Sequence, residues 1–173
     1  METPKSKIAG VLFIMTALLW LAGTTFQNIA SGKLLVFGTV ELVQNLPEQT
    51  ERSVYETIAQ TAVVRMLSYP LVILFAFLYV RWTKKSFAAN GWLLMSAILL
   101  FLFIPVEGYC LWREWKIVGL LYWGSWPIEE FRKAFLVRVT ALGGLPMIAS
   151  LCYYTIIGLI VVRPMKKKEI RVL

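Results

Sequence analysis

Four long apolar stretches separated by polar connections dominate the pattern of this chain. They cover residues 8–30, 60–80, 92–112 and 139–162. Each stretch approaches or exceeds about 20 mostly apolar residues, the length that an α-helix needs to cross about 30 Å of hydrocarbon. The pattern therefore predicts an all-α integral membrane protein built as a bundle of four transmembrane helices.

Composition supports this prediction, because 58% of the residues are hydrophobic and only 16% are charged. A soluble domain is usually much less apolar and carries more charge. The chain of 173 residues has little length outside the four stretches. We therefore expect a single membrane domain over residues 1–173, without a soluble catalytic module. The first stretch is long for the apolar part of a signal peptide, so it is interpreted as a retained span.

The distribution of charge predicts how the bundle is oriented. The two termini and the connection around residues 81–85 contain ten cations and two anions, which accounts for the whole net charge of +8. The other two connections and their flanks are neutral. Because short cytoplasmic segments are enriched in lysine and arginine, both termini are expected to be cytoplasmic. The localisation that we expect is a bacterial inner membrane.

The two extracytoplasmic connections contain helix-start signals. Asn45 and Glu48 have the spacing of a capping box ahead of span two, and Ser125 precedes a proline and two glutamates ahead of span four. The sequence therefore predicts that spans two and four are each extended by an extracytoplasmic helix.

A weak similarity between the two halves suggests a two-hairpin repeat over residues 8–85 and 90–167. At an offset of 82 residues, Val80-Arg81 and Lys84-Lys85 align with Val162-Arg163 and Lys166-Lys167. Membrane topology alone places basic residues at such positions, and we favour that simpler explanation because the identities are few.

The absence of particular residue types argues against several kinds of chemistry. The chain has no histidine and no aspartate, and its only cysteines are Cys110 and Cys152. Haem, zinc and magnesium sites usually depend on these residues. We therefore expect no catalytic residue, no cofactor and no metal site, and we expect the two cysteines to be free thiols at different depths.

Two charged residues fall inside or at the edge of the predicted spans. Arg65 lies in the outer part of span two, and Glu107 lies in the outer part of span three. A charge buried alone in a membrane is costly, so an ion pair between them is one expectation, with the Tyr69 hydroxyl nearby. Alternatively, Arg65 extends to the outer headgroups while Glu107 lies in water.

Proline residues fall in the outer halves of three spans. They are Pro70, Pro105 and Pro146, and the last follows a pair of glycines. Kinks at these positions would open an outer cavity, whereas ordinary packing of proline-containing membrane helices is the alternative, and we favour it.

Aromatic residues crowd the predicted outer surface, where they suggest either a membrane-surface segment or a contact with proteins or lipids. The residues proposed for this interface are Trp112, Trp115, Tyr122, Trp123 and Trp126. The basic residues on the inner side are expected to contact lipid headgroups without binding nucleic acid. They are Arg81, Lys84, Lys85, Arg163, Lys166, Lys167 and Lys168.

Three function classes follow from these observations. The first is a non-catalytic accessory or scaffold subunit of a larger membrane complex in energy conversion, export or the envelope, with other integral membrane proteins and lipids as partners. The second is a conducting or carrier subunit for ions or lipids that uses the outer cavity with Arg65 and Glu107. The third is an enzyme based on Glu107, Glu129 or Glu130, which lack a partner base. We expect the first class, and a homo-oligomer stays open.

Overall fold

The computed structural model describes residues 3–83 and 87–164. Within these residues the chain is helical, and four helical segments are long and apolar enough to span a membrane. This confirms the prediction of a helical protein with four candidate membrane spans. The α-helices are α1 (Pro4–Gly32), α2 (Glu48–Trp82), α3 (Gly91–Tyr122), α4 (Ile128–Thr140) and α5 (Leu145–Val162).

Helices α1, α2 and α3 extend beyond the apolar stretches from which they were predicted. With 35 residues, α2 is about 50 Å long, whereas the hydrocarbon of a bilayer is about 30 Å thick. The third helix does not end near Trp112, because it continues to Tyr122. The aromatic segment after Trp112 is therefore mainly part of α3 and does not form a separate surface helix.

The two predicted helix caps are wrong. Helix α2 begins at Glu48 after Pro47, without a side-chain cap, and Asn45 has a left-handed backbone with φ 67°. Glu48 does not reach back to Asn45, because its carboxylate accepts hydrogen bonds of 2.8 and 2.9 Å from Arg52. Similarly, α4 begins at Ile128 after Pro127, and Ser125 provides no cap.

The fourth predicted span is also discontinuous. Helix α4 ends at Thr140, a short 3-10 segment follows over Ala141–Gly144, and α5 starts at Leu145. Leu142, Gly143 and Gly144 have φ values of 62°, 50° and 89°. Three successive left-handed residues cannot continue a right-handed helix, so the helix is interrupted and restarts in α5.

Two ends of the bundle can be distinguished by the chain connections. At the end that we call the terminal end, α1 starts beside the end of α2, where the Thr3 hydroxyl donates to the carbonyl oxygen of Trp82 at 3.2 Å. At the opposite end, called the loop end, α1 connects to α2 and α3 connects to α4. A short antiparallel bridge between Leu35 and Leu42 closes the first of these connections.

Two apolar cores are arranged along the bundle. The terminal core lies between α1, α2, α3 and α5 and includes Trp20, Val72 and Tyr153. The loop core lies between α1, α2, α3 and α4 and includes Ile58 and Phe135. Because α4 replaces α5 in the loop core, the helix interruption falls where one core gives way to the other.

Candidate functional site

A layer of polar side chains separates the two cores, and we call it the charge cluster. Its members are Gln27 of α1, Arg65 of α2, Glu107 and Glu114 of α3, and Arg138 of α4. The first four are between 0% and 2% exposed, and the Arg138 side chain is 12% exposed. Since buried charges require partners, the geometry among these residues determines what the cluster can do.

Arg65 lies at the centre of the charge cluster. One terminal nitrogen, Nη2, donates to Glu107 Oε2 at 3.1 Å. The other, Nη1, donates to Gln27 Oε1 at 2.5 Å and also pairs with Glu114 Oε1. The structure thus brings Arg65 and Glu107 together, and it adds two partners that sequence reasoning missed.

Helix α1 leaves space for the Arg65 side chain at Gly23. A Cβ atom at this position would lie 3.0 Å from Arg65 Cγ, which is too close for an ordinary contact. The Arg65 guanidinium carbon also lies 5.9 Å from the centre of the Trp20 ring, within the range of a cation–π contact. The small residue and the ring therefore position the guanidinium between α1 and α3.

Glu114 links Arg65 to a second arginine. Its Oε1 accepts a hydrogen bond from Arg138 Nε at 2.9 Å. Sequence reasoning assigned Glu114 to a loop because the third span was expected to end near residue 112. The spacing of seven between Glu107 and Glu114 is the signal that could have found it, because residues seven apart lie on one face of a helix.

The charges of the cluster balance, but several of its polar atoms have no partner. Two arginines face two glutamates, so the formal sum is zero. Among the described residues, Glu107 Oε1, Glu114 Oε2 and Gln27 Nε2 have no hydrogen-bond partner. The Nη groups of Arg138 likewise donate no hydrogen bond within the described part of the chain. Glu107 Oε1, Glu114 Oε2 and Gln27 Nε2 are buried, so their lack of a partner costs free energy unless a ligand or water pairs with them.

A cavity of about 380 Å³ opens beside the charge cluster. Its volume lies in the usual range for small-molecule sites. Polar residues from four elements contribute to its lining, together with Gly144, Pro146 and Met147 at the start of α5. These polar residues are Thr24, Asn28 and Ser31 of α1, Arg65 of α2, Glu107 and Cys110 of α3, and Arg138 of α4.

The interrupted helix places a helix N-terminus at this cavity. Gly144, the N-cap residue of α5, has a left-handed conformation, and no side chain caps the helix. The N-terminus of a helix carries partial positive charge and favours anions. The start of α5, Arg138 and Arg65 are therefore the positive parts of the cavity, whereas Glu107, which pairs with Arg65, is its negative part.

An apolar groove adjoins the cavity between α1 and α5. It has a volume of about 370 Å³, and its lining includes Leu21, Ile29, Leu151 and Tyr154 together with the hydroxyl residues Thr25 and Ser150. Three residues, Thr24, Asn28 and Met147, line both the groove and the cavity. A cavity with charged side chains on its wall thus continues into a groove that no charged residue lines.

Tyr69 does not join the ion pair as the sequence suggested. Its hydroxyl lies 2.6 Å from the Tyr153 hydroxyl, and both rings pack against Trp20. Tyr69 therefore belongs to the terminal core. Cys110 is buried at the cavity, Cys152 is partly buried, and both are free thiols, as expected.

The predicted aromatic interface is largely exposed. Trp112, Trp115, Tyr122 and Trp123 are each more than half exposed, and the Trp115 and Trp123 rings lie 5.3 Å apart. Trp126 is different, because it stacks on Phe131 at 5.0 Å and supports Arg52. Four of the five residues are thus available for contact, and Trp126 mainly stabilises the loop end.

An ion pair braces the loop end between α2 and α4. Arg132 donates two hydrogen bonds, of 2.7 and 2.6 Å, to the carboxylate of Glu51. Glu51 lies before the apolar part of α2, and Arg132 holds the pKa of its carboxyl below the usual range by hydrogen bonding and charge. Glu129 also pairs with Arg132, at 2.5 Å, away from the cavity.

Only two of the basic residues predicted to contact headgroups are described. Arg81 is exposed near the end of α2. Arg163 follows α5, and its guanidinium lies 5.7 Å from the centre of the Trp92 ring. The others, Lys84, Lys85, Lys166, Lys167 and Lys168, lie outside the described residues.

Histidine, cysteine and acidic side chains do not form a group of three that could hold a metal ion within residues 3–83 and 87–164. Comparison with protein families, with curated proteins and with solved structures finds no match for this chain. The charge cluster, the cavity and the groove are therefore the features of the molecule that bear on its function.

Proposed function

We propose that this protein is a non-catalytic integral membrane protein that binds a lipid in the cavity and groove, as a carrier or lipid-handling subunit. The single observation that carries this proposal is the shared lining of the two spaces by Thr24, Asn28 and Met147. A lipid has a polar head joined to apolar chains, and here a cavity whose wall includes Arg65, Glu107 and Arg138 is joined to a groove without charged residues. The conducting or carrier class considered from the sequence thereby becomes our first choice.

The depth of the cavity agrees with a lipid headgroup. Arg65 lies 16 residues before Arg81, or about 24 Å along α2. If Arg81 marks one boundary of a hydrocarbon layer about 30 Å thick, Arg65 lies near the other boundary. Helix α5, with 18 residues, spans about 27 Å and begins at the same level. This is the depth at which lipid head and chains meet.

We place the loop end on the extracytoplasmic side, because the net positive charge lies in the sequence segments that precede α1, join α2 to α3 and follow α5. The extensions of α2 and α4 then project into the extracytoplasmic space. A single cysteine introduced at the exposed loop residue Thr39, with Cys110 and Cys152 replaced by alanine, tests this orientation. A membrane-impermeant maleimide should label it in intact cells, and labelling only after lysis would reverse the orientation.

Thermal unfolding of the purified full chain in detergent tests the binding function. Addition of an equal mixture of dioleoyl phosphatidylethanolamine, phosphatidylcholine and phosphatidylglycerol should raise the Tm with lipid concentration, because a ligand stabilises the state that binds it. Asn28→Trp should remove most of the increase by filling the passage between cavity and groove.

Leu102→Trp is the matched control for this experiment. Leu102 is 61% exposed on α3, and Asn28 is also exposed, but Leu102 lines neither the cavity nor the groove. This variant should respond to lipid like the wild type. A Tm that does not respond to lipid, or that rises equally in Asn28→Trp, would contradict the lipid-binding function.

The scaffold function is kept as a second candidate because of the exposed aromatic residues at the end of α3. Tryptophan is enriched at protein interfaces, and Trp123 also lines a cleft of about 510 Å³ with Arg113, Lys116 and Lys133. In mild detergent, a tagged chain should then recover a larger membrane protein in fixed ratio, and Trp115→Ser with Trp123→Ser should lose it. Recovery of a homo-oligomer alone would count against this role.

A further inference from the structure

We propose that the cavity selects a zwitterionic phospholipid with a primary ammonium headgroup, of the phosphatidylethanolamine class. This inference rests on the proposed lipid-binding function and adds the headgroup chemistry. It follows from the balance of charge in the cluster, from the unpaired Glu107 Oε1 and the Arg138 side chain that line the same cavity, and from the position of the groove.

The balanced charge of the cluster favours a ligand without net charge. Arg65 and Arg138 are matched by Glu107 and Glu114, all of them largely withdrawn from water. A ligand with net charge would leave one charge uncompensated where the dielectric constant is low, which is costly. A zwitterion keeps the sum at zero, so an anionic lipid such as phosphatidylglycerol is disfavoured.

The negative part of the cavity is suited to an ammonium group. Glu107 is fully buried and lines the cavity, and its Oε1 has no hydrogen-bond partner among the described residues. A primary ammonium can donate a charge-assisted hydrogen bond to this oxygen. The quaternary ammonium of phosphatidylcholine has no N–H to donate, so the oxygen would stay unpaired.

The positive part of the cavity is suited to a phosphate. Arg138 uses Nε for Glu114, and its Nη groups are left to donate to another acceptor. The uncapped N-terminus of α5 adds partial positive charge at Gly144 and Met147, which line the same cavity. A guanidinium and a helix N-terminus are both common partners of phosphate.

The groove between α1 and α5 accommodates an acyl chain. From the shared residue Asn28, it follows Leu151 and Tyr154 towards the terminal end. A lipid with its phosphate at the start of α5 would extend a chain along this groove in the direction of the hydrocarbon. The headgroup would thus occupy the cavity, and the acyl chain attached to it would occupy the adjoining groove.

Native mass spectrometry of the full chain, titrated separately with dioleoyl phosphatidylethanolamine, phosphatidylcholine and phosphatidylglycerol, tests the headgroup. Phosphatidylethanolamine should bind about tenfold more tightly than the other two, because it alone pairs with both parts of the cavity. Equal affinity for the three lipids would overturn the inference. The lipid-binding function would still be supported if Asn28→Trp lowered the affinity for all three lipids equally.

Two variants separate the parts of the headgroup. Glu107→Gln should bring phosphatidylethanolamine to the affinity of phosphatidylcholine, while binding of phosphatidylcholine stays within about twofold. Arg138→Gln should weaken both lipids and keep the preference between them. If Glu107→Gln fails to fold, Arg138→Gln still tests the headgroup assignment. The assignment would be overturned if folded Glu107→Gln still preferred phosphatidylethanolamine over phosphatidylcholine. It would also be overturned if Arg138→Gln alone lost this preference.

Discussion

Helix α2 and the pair α4–α5 connect the same two ends of the bundle in different ways. Helix α2 runs without interruption from Glu48 to Trp82 and includes Pro70. The pair, over Ile128–Val162, has the same number of residues, 35, and contains an interruption at Ala141–Gly144, just before Pro146. The interruption creates a new helix N-terminus beside the charge cluster, whereas α2 supplies the cluster with Arg65 from its middle.

This comparison shows that proline alone does not predict where a membrane helix is interrupted. Pro70 lies inside an intact helix, and Pro105 lies inside α3. The interruption at Ala141–Gly144 instead depends on Leu142 and two glycines with left-handed backbones. Proline at the start of α5 is compatible with helix initiation, because its missing N–H is not needed there.

The largest expected effect comes from removing Arg65, the contribution of α2 to the charge cluster. Arg65→Ala leaves Glu107 and Glu114 buried with fewer partners, so the free energy of unfolding should fall by about 3–5 kcal/mol. Chemical denaturation in detergent measures this loss. Arg52→Ala, which removes the exposed pair with Glu48 and a hydrogen bond to the Trp126 carbonyl oxygen, should cost less, about 1–2 kcal/mol.

The double variant Arg65→Ala with Glu107→Gln provides a test of coupling within the charge cluster. It should recover part of the stability lost in Arg65→Ala, because one unpaired carboxylate is then neutral. Strictly additive losses would show that the observed contact between the two residues contributes no coupling energy.

A smaller change in the free energy of unfolding is expected for substitutions that compare the interruption before α5 with the intact helix α2. Residues 62 and 144 correspond at the offset of 82, and they are Ala62 in intact α2 and Gly144 in the interruption. Gly144→Ala should lower the free energy of unfolding by about 1–2 kcal/mol, because a φ of 89° is unfavourable for any residue with a Cβ atom. The added Cβ itself would have space. Ala62→Gly should lower it by about 1 kcal/mol, since glycine destabilises a helix.

Gly158→Ala is the control for these substitutions. Gly158 lies within α5, and nothing within 4 Å would meet an added Cβ. Alanine there should raise the unfolding free energy by about 0.5–1 kcal/mol. If Gly144→Ala also raised the stability, the interruption would not require a left-handed residue, and the contrast with α2 would fail.

An effect of similar, small size is expected for the ion pair that joins α2 to α4. Glu51→Gln should lower the free energy of unfolding by about 1 kcal/mol near neutral pH, because Arg132 is partly exposed and the pair is partly screened. The folded-state pKa of Glu51 is lowered from its ordinary value near 4.5. Its contribution is therefore complete above pH 4.5 and is lost as the pH falls through the folded-state pKa.

Unfolding measured as a function of pH checks this sign. The difference between wild type and Glu51→Gln should shrink as the pH falls below about 4.5, and added salt should reduce it at neutral pH. A difference that grew in acid would mean that Arg132 does not stabilise the ionised carboxylate.

Part of the charge cluster could be predicted from the sequence, but not all of its residues could. Arg65 and Glu107 stood out because charges inside apolar stretches need a partner, and their expected depths agreed. Glu114 and Arg138 were missed because apolar length marked where spans end, whereas α3 continues as a helix past that boundary. Gln27 was missed because its role depends on which face α1 turns towards α2. The proposed two-hairpin repeat stays a prediction.

The sequence by itself determined that the chain has four candidate membrane spans and an asymmetric distribution of charge. Both follow from local composition, because the transfer of apolar or charged groups into a membrane depends on residue type and segment length. The tertiary structure alone decided the partners of Arg65, the interruption before α5 and the joining of cavity to groove. These depend on the rotation and packing of helices whose faces are similarly apolar, and local composition does not specify that arrangement.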